Sequence, residues 1–420
     1  MTTQPPPGNP SESADTVVGA RDLPARGCSI KPLHPLARLP EEWAEILAQW
    51  GERPYRARQV FRWLHARGEQ NPAQMTDLSK TLRQRLADEG LAPAVEVVEV
   101  LRAADDTRKL LLRLSDQRRI ECVMIPMTDR VDDDSDDATP QGDLGDYFDD
   151  MSGDASNDLV ARITANAGDA KKRRVTLCVS TQHGCAMGCV FCASGQAGLG
   201  RGLSAAEIVA QVLEARRHLM PSELLTNLVF MGMGEPLHHY DETARAIRLL
   251  SHDDGVGLGL RRMTISTVGI LRGIERLGED FGGKIGLAVS LHAPNDTLRS
   301  KIVPFNDRVN IHTLIEALRR YPLPKRRRIT IEYTLIAGLN DGPEHARELI
   351  SVLRPLRVKV NLIAMNSVAG SALRGSTSER VAQFRDWVAE RGVSCFVRAR
   401  RGDDVSAACG QLALQKDRVE

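Results

Sequence analysis

From residue 175 onward the sequence alternates short β-like apolar runs with helical stretches, and this order limits the possible folds more than any other feature of the chain. The β-like runs are 175–180, 227–233, 263–267, 285–291, 329–336 and 358–365. Strands separated by helical stretches cannot pair as hairpins, so successive strands run parallel and are joined by crossover helices. Two of the helical stretches open with capping boxes, Ser204 with Glu207 and Ser376 with Glu379, each a Ser three residues before a Glu. Six such units predict an α/β fold, a (β/α)6 barrel or part of one, over residues 171–412. A doubly wound open sheet is the alternative, but it would carry a glycine fingerprint after its first strand. This chain carries a cysteine cluster there instead.

The cluster reads His183-Gly-Cys185-Ala-Met-Gly-Cys189-Val-Phe-Cys192, three thiols at spacing C-x3-C-x2-C in one loop. Eight Cys in 420 residues are too sparse for a secreted disulfide scaffold, and clustered Cys in a reducing compartment are commonly metal ligands or catalytic thiols. Structural zinc usually takes four ligands, often as two C-x2-4-C pairs, and no second pair exists here; His183 could complete such a site. Three thiolates also suit a [4Fe-4S] cluster with one iron left open, since such clusters otherwise use four. An open iron is a place where a cofactor or substrate can bind.

The region before the barrel divides into four pieces. Residues 1–35 hold seven Pro and little periodicity and read as a disordered tail. Residues 36–94 read as a small helical domain, with Tyr55, Val60, Phe61 and Leu64, then Met75, Leu78, Leu82 and Leu86, at helical spacing. Runs at 95–101, 109–114 and 119–125 predict a short linking sheet within 95–127. Residues 128–170 carry thirteen Asp against two Arg, a local charge of −11. A formal net charge of +1 argues against a nucleic-acid partner until this segment is set aside, which leaves +12 on the other 377 residues. So acidic and poorly apolar a stretch cannot offset its chain entropy, so 132–158 reads as a disordered loop, with 413–420 as a short tail. No apolar run reaches the roughly 18 residues of a membrane helix and the first 27 residues are polar, which predicts a cytoplasmic protein without a membrane partner.

The three-cysteine loop after a first barrel strand, with Phe191 before the third Cys, resembles the radical S-adenosylmethionine superfamily, whose fold is a partial (β/α)6 barrel. Further motifs narrow the likeness: Thr176-Leu-Cys178-Val-Ser, Met231-Gly-Met-Gly-Glu235-Pro, Ser290-Leu-His292-Ala-Pro-Asn-Asp, and Arg401-Gly-Asp-Asp-Val-Ser-Ala-Ala-Cys409-Gly-Gln-Leu. In this order, from about Pro40 to Leu412, they resemble the RlmN-type dual-specificity RNA methyltransferases. The resemblance implies that Cys185, Cys189 and Cys192 hold a [4Fe-4S] cluster. It implies that Gly234, Glu235, Ser266, Ser290, Leu291, His292 and Asn366 contact S-adenosylmethionine, used twice per turnover. Where the family usually has Pro-Trp-Asn-Pro, this chain has Ala364-Met-Asn366-Ser.

The family's reaction methylates C2 of adenine, an sp² carbon with no lone pair, which explains a radical route in which the cofactor supplies the chemistry and the protein the positioning. The resemblance implies that Cys409 carries the methyl group, that Glu121 is the base, and that Cys178 resolves the RNA adduct through a transient disulfide. It further implies 23S rRNA and tRNA as substrates, a one-electron reductant such as flavodoxin or ferredoxin, and a monomer. Basic clusters at 171–174, 261–262, 325–328 and 398–401, with 55–67 in the helical domain, are candidate RNA contacts. The target base would have to leave its stack. Cys28, Cys122 and Cys395 read as structural. The alternatives are a C8 adenine methyltransferase of Cfr type, a non-catalytic zinc-binding RNA module, and a thiol redox protein using Cys178 and Cys409.

Overall fold

The computed structural model describes residues 33–127, 141–142, 172–368 and 371–412, and His34 onward forms one compact unit. The readings of 1–32 as a tail, most of 128–170 as a loop and 413–420 as a second tail fall outside the described residues. Three helices come first: α1 (Pro40–Gln49), α2 (Tyr55–Phe61, continued by one wider turn to Ala66) and α3 (Lys80–Asp88). Pro35–Ala37 already form a buried 3-10 turn, so packing begins just inside the stretch read as tail. Of the helically spaced residues all but Tyr55 are buried.

Among the described residues thirteen strands follow: β1 (Val95–Arg102), β2 (Arg108–Leu114), β3 (Arg119–Pro126), β4 (Gln141–Gly142), β5 (Arg173–Cys178), β6 (Gln182–Gly184), β7 (Leu199–Gly202), β8 (Glu223–Phe230), β9 (Met263–Thr267), β10 (Gly286–Ser290), β11 (Ile329–Leu335), β12 (Val358–Ala364) and β13 (Cys395–Arg398). The helices among them are α4 (Ala193–Ala197), α5 (Ala205–Arg217), α6 (Tyr240–Ser251), α7 (Leu271–Phe281), α8 (Asp296–Ile302), α9 (Ile311–Arg320), α10 (Pro343–Leu353) and α11 (Ser378–Ala389).

Eleven strands make one sheet in the order β1-β2-β3-β5-β8-β9-β10-β11-β12-β13-β4. From β5 to β13 the strands are parallel and in chain order, so every crossover moves the same way round, as in a barrel. A doubly wound sheet would reverse its order at a switch point, and this one does not. The barrel is partial, because β5 turns its other edge to the antiparallel β3 and β13 pairs with the two residues of β4. The six expected runs are the six strands β5, β8, β9, β10, β11 and β12, within a few residues at each end. All seven residues of β11 are buried, the near-continuous burial that parallel strands covered on both faces require.

Three readings change in detail. The β1–β3 meander, the expected short linking sheet, is continuous with the edge of the barrel sheet, joined through Val123 opposite Cys178. A seventh parallel strand, β13, follows α11; its four residues are only half-buried, too short and mixed a run to stand out in sequence. The cap of α11 is Thr377, whose Oγ1 accepts from the Arg380 N–H at 3.2 Å, while Ser376 Oγ donates to Asp341 Oδ2 at 2.7 Å. The Ser204–Glu207 box on α5 is present, with Ser204 N–H donating to Glu207 Oε2 at 2.9 Å.

Candidate active site

The three cysteines leave the barrel between β6 and α4 and face a cavity of about 880 Å³ at the C-terminal ends of the parallel strands. That is where barrel enzymes hold their sites. Glycine lets the loop close tightly: a Cβ on Gly195 would lie 2.9 Å from Cys189 N and 3.0 Å from its carbonyl. Burial pushes the Cys185 thiol up to about 12 and Cys189 well above the ordinary thiol value, and the neighbouring thiols push further the same way on Cys189. Backbone N–H groups of Gly195 and Ser194 reach the Cys192 sulfur and partly offset its burial.

Glu235, just after β8, lies buried on the wall of this cavity. Its Oε1 accepts from Leu237 N–H at 3.1 Å and its Oε2 from Val268 N–H at 2.9 Å. Burial raises its carboxyl to about 7, and those backbone donors pull the other way. Gly234 has φ +103°, and a Cβ there would meet Gln182 at 2.6 Å; the Gln182 side chain meanwhile accepts from Glu235 N–H at 3.0 Å. Ser266 and Ser290 line the cavity at the ends of β9 and β10. Leu291 N–H and His292 N–H donate to Glu332 O at 3.1 and 3.3 Å, which ties the turn after β10 to β11.

His292 is buried, has φ +58°, and also lines the cavity. Burial, with Arg299 nearby, lowers it to about 3, so the ring is neutral. Its Nδ1 accepts from Thr334 N–H at 3.0 Å, which leaves the proton on Nε2. Phe191 meets it edge-on, with ring centroids 4.6 Å apart. Asn366, after β12, donates from Nδ2 to Cys409 O at 2.9 Å, and Met365 packs into the apolar cluster under the cysteine loop.

Cys409 shares the cavity with the three cysteines and Glu235. Its segment is fastened on two sides: Ala193 N–H donates to Gly410 O at 2.8 Å and Ser194 Oγ to Leu412 O, while Gly402 N–H reaches Asp105 Oδ2 at 3.1 Å. Cys178, the last residue of β5, lies opposite Val123. Glu121 is two residues from Val123 along β3 and therefore shares the face of Cys178. Glu121 is buried and its Oε1 is 3.1 Å from Lys109 Nζ. Burial lifts Cys178 to about 12, with Cys409 pushing up and Arg398 pulling down. Cys409 is likewise raised by burial, with Arg398 again opposing. Cys178 thus senses the Cys409 thiol, and both sense one guanidinium.

Comparison with known proteins bears directly on this arrangement. Residues 179–350 match the family model for the radical SAM superfamily, and 40–90 match the ribosomal RNA large subunit methyltransferase N-terminal domain. The chain is 53% identical to a dual-specificity RNA methyltransferase RlmN of Sorangium cellulosum, covering 91% of this chain and 96% of that one. It is 42% identical to a probable RlmN of Moorella thermoacetica, covering 91% and 97%. A crystal structure of a radical SAM methyltransferase from Sphaerobacter thermophilus superposes with TM-score 0.76 at 39% identity, covering 91% and 99%. The chain belongs to the RlmN family of radical SAM RNA methyltransferases.

Radical SAM membership implies a [4Fe-4S] cluster and S-adenosylmethionine, and the residues present fit both. Three thiols, Cys189 buried and Cys185 and Cys192 half-buried, face one cavity, while among the described residues no three Cys, His, Asp or Glu converge on a single-ion site. A cluster spreads its thiolates over several irons, whereas a lone zinc gathers four ligands at one point. His183, the candidate fourth zinc ligand, does not line this cavity; it packs on Gly200, whose added Cβ would lie 2.3 Å from Nδ1, beside Arg118 and Arg201.

Two residues of this RlmN-family site carried no signal in the sequence. Arg299 is fully buried beneath it, donating to Leu291 O at 3.1 Å, Val268 O at 2.7 Å, Ser290 O at 3.2 Å and Asn306 Oδ1 at 2.9 Å. It holds the turns after β9 and β10, yet reads in sequence as one more helix-surface Arg. Lys109 holds Glu121 and looks like an alternating strand residue. Cys122 lies on the opposite face of β3 from Glu121, fully buried, and Cys395 opens β13. Among the described residues no helix is long and apolar enough to cross a membrane.

Proposed function

We propose that this chain methylates C2 of adenosine in RNA, at an adenosine in the peptidyl-transferase centre of 23S rRNA and at the adenosine 3′ of the tRNA anticodon. The observation that carries the reading is that Cys409 faces the same cavity as Cys185, Cys189, Cys192 and Glu235. Cys185, Cys189 and Cys192 would hold the cluster. Gly234, Glu235, Ser266, Ser290, Leu291, His292 and Asn366 would hold S-adenosylmethionine, with the Glu235 carboxylate accepting from its ammonium group. S-adenosylmethionine bound there would supply both the methyl group for Cys409 Sγ and the radical chemistry that activates that methyl, two molecules being used per turnover.

The protein's own groups then act in sequence. Cys409 Sγ presents its methylene to C2 and a carbon–carbon bond forms between the two, so the RNA becomes joined to the chain through a methylene bridge to sulfur. Glu121 accepts the proton that leaves C2, and the one electron left on the ring by the radical addition passes to a one-electron acceptor, which restores the aromatic base. Cys178 Sγ attacks Cys409 Sγ; the bond from sulfur to methylene breaks, its electron pair stays with the carbon, and a proton completes the methyl group. The resulting disulfide is reduced from outside, and a flavodoxin- or ferredoxin-type protein supplies single electrons. Buried thiols are neutral at pH 7, so Cys178 must give up a proton before it attacks, and the positive Arg398 beside both thiols favours this.

A basic body outside the acidic segment, and the exposed Tyr55 with Arg67 stacked 3.9 Å over Trp63 on the helical region, support an RNA substrate. The enzyme would work as a cytoplasmic monomer. Nucleoside analysis of RNA treated with the iron-reconstituted protein tests the reading. The expected product is 2-methyladenosine made by a brown protein with about four irons; 8-methyladenosine as sole product, or a colourless protein with one zinc, would overturn it.

A further inference from the structure

The basic clusters separate in space. Residues 398–401 lie at the cavity end of the barrel, where they line a smaller cavity beside Cys409. The others lie at the opposite end: Arg173 and Arg174 open β5, Arg261 and Arg262 directly precede β9, and the four cations 325–328 directly precede β11. Arg357 stands just before β12 and Arg391 four residues before β13. The run 325–328, Arg354, Arg357 and Arg391 line one cleft with an empty volume of about 1060 Å³. Among the described residues no Asp or Glu lines it.

Three guanidinium groups that shape this cleft are anchored by carbonyl oxygens. Arg327 Nη1 donates to Lys284 O at 2.6 Å, Arg357 Nη2 to Leu323 O at 3.0 Å and Arg391 Nη1 to Trp387 O at 2.8 Å. Carbonyl oxygens fix a guanidinium without cancelling it, and the Glu390 carboxylate is 4.0 Å from Arg391. Burial, together with the positive Arg261, pulls Arg327 below the usual guanidinium value, a sign of cations gathered against their repulsion. Cations complement the C-terminal ends of helices, which accounts for Arg354 after α10 and Arg391 after α11. It does not account for seven in one cleft. Lys325, Arg326 and Arg354 are exposed and available to a ligand.

We propose that this cleft binds the phosphodiester backbone of the RNA substrate at a point remote from the reacting adenosine. The inference rests on the RNA methyltransferase reading above. The seven residues of β11 separate the cleft from the cysteine cavity by about 20 Å, so only an RNA extending well beyond the target base reaches it. Contacts of this kind add affinity and orientation and read no sequence.

The test is binding of the full-length, iron-reconstituted chain to a whole tRNA transcript and to a short hairpin carrying only the target adenosine and a few base pairs. In the variant with Lys325→Gln, Arg326→Gln and Arg354→Gln, the salt dependence of tRNA binding should lose about 2 from the magnitude of its log–log slope, at roughly 0.7–0.9 per phosphate contact. Affinity for tRNA should fall at least about fivefold at 0.1 M salt, and affinity for the hairpin should change less than twofold. Arg354→Gln alone should give about a third of the slope change. Unchanged tRNA binding overturns the proposal, as does an equal loss on both RNAs. It is also overturned if removing residues 132–158 abolishes the effect, because the cleft would then be serving the acidic segment. The wild-type chain's methylated product is read separately, so failure of the cleft leaves the proposed function standing.

Discussion

Glu235 shows how one buried group is tuned by its surroundings. Burial raises its carboxyl to about 7, above the ordinary carboxylate value, so the empty site favours the protonated form as pH falls below neutrality. A bound ammonium needs the ionised form. The affinity for S-adenosylmethionine should therefore weaken as pH drops through about 7, and Glu235→Gln should bind more weakly at pH 8 and lose the pH dependence; equilibrium dialysis across pH 6–8 reads both. Arg299 is the structural counterpart, a buried guanidinium whose donors are taken up by carbonyls of three turns. Arg299→Lys keeps the charge but cannot span those acceptors, and leaving carbonyls unpaired should cost about 3 kcal/mol, seen in denaturant unfolding. Cys185, Cys189 and Cys192 could be found from spacing alone. Arg299 and Lys109 could not, because their importance comes from burial by segments distant in sequence.

At the scale of elements, the parallel strands were legible because covered strands must be apolar throughout, and β5, β8, β9, β10, β11 and β12 all fall where apolar runs stand. What stayed hidden was pairing across the chain. Nothing local tells that β3 joins β5 across the acidic segment, and that junction is what brings Glu121 onto the face of Cys178. The four residues of β13 are too short to register, yet Arg398 at its end reaches the fields of both thiols. The segment from Gly402 to Leu412 has one short 3-10 turn and relies on bonds to its neighbours. Ser194→Ala removes the bond to Leu412 O, and the loosened segment should expose its thiol. Alkylation of Cys409 should speed up several-fold in that variant, with the core thiol of Cys122 unchanged as the internal reference.

Over the whole molecule, the helical region is built onto the barrel and not merely tethered to it. Arg216 donates to His65 O and Ala66 O, each at 3.0 Å, and Arg245 Nη1 to Glu42 Oε1 at 2.8 Å, so α5 is covered on its outer side. Asp254 on the barrel accepts from both Arg58 and Arg62, whose guanidinium groups hold its carboxyl down to about 2. A depressed carboxyl contributes stability above its unfolded value near 4, and this is lost as pH falls through about 2. Both arginines are more than half exposed, so solvent screens the clasp, and Asp254→Asn should cost under about 1 kcal/mol at physiological salt. Thermal unfolding at low and high salt checks this: the difference between the two proteins should shrink as salt rises.

The central claim is that Cys409 bonds covalently to RNA and that Cys178 releases it. Replacing Cys178 with Ala removes the resolving thiol and leaves the other groups in place. After reaction with cluster, S-adenosylmethionine and reductant, a denaturing gel should show tRNA attached to the Cys178→Ala protein, and peptide mass spectrometry should locate the attachment at Cys409. Free 2-methyladenosine released by Cys178→Ala at the wild-type rate, with no attached RNA, would contradict the account.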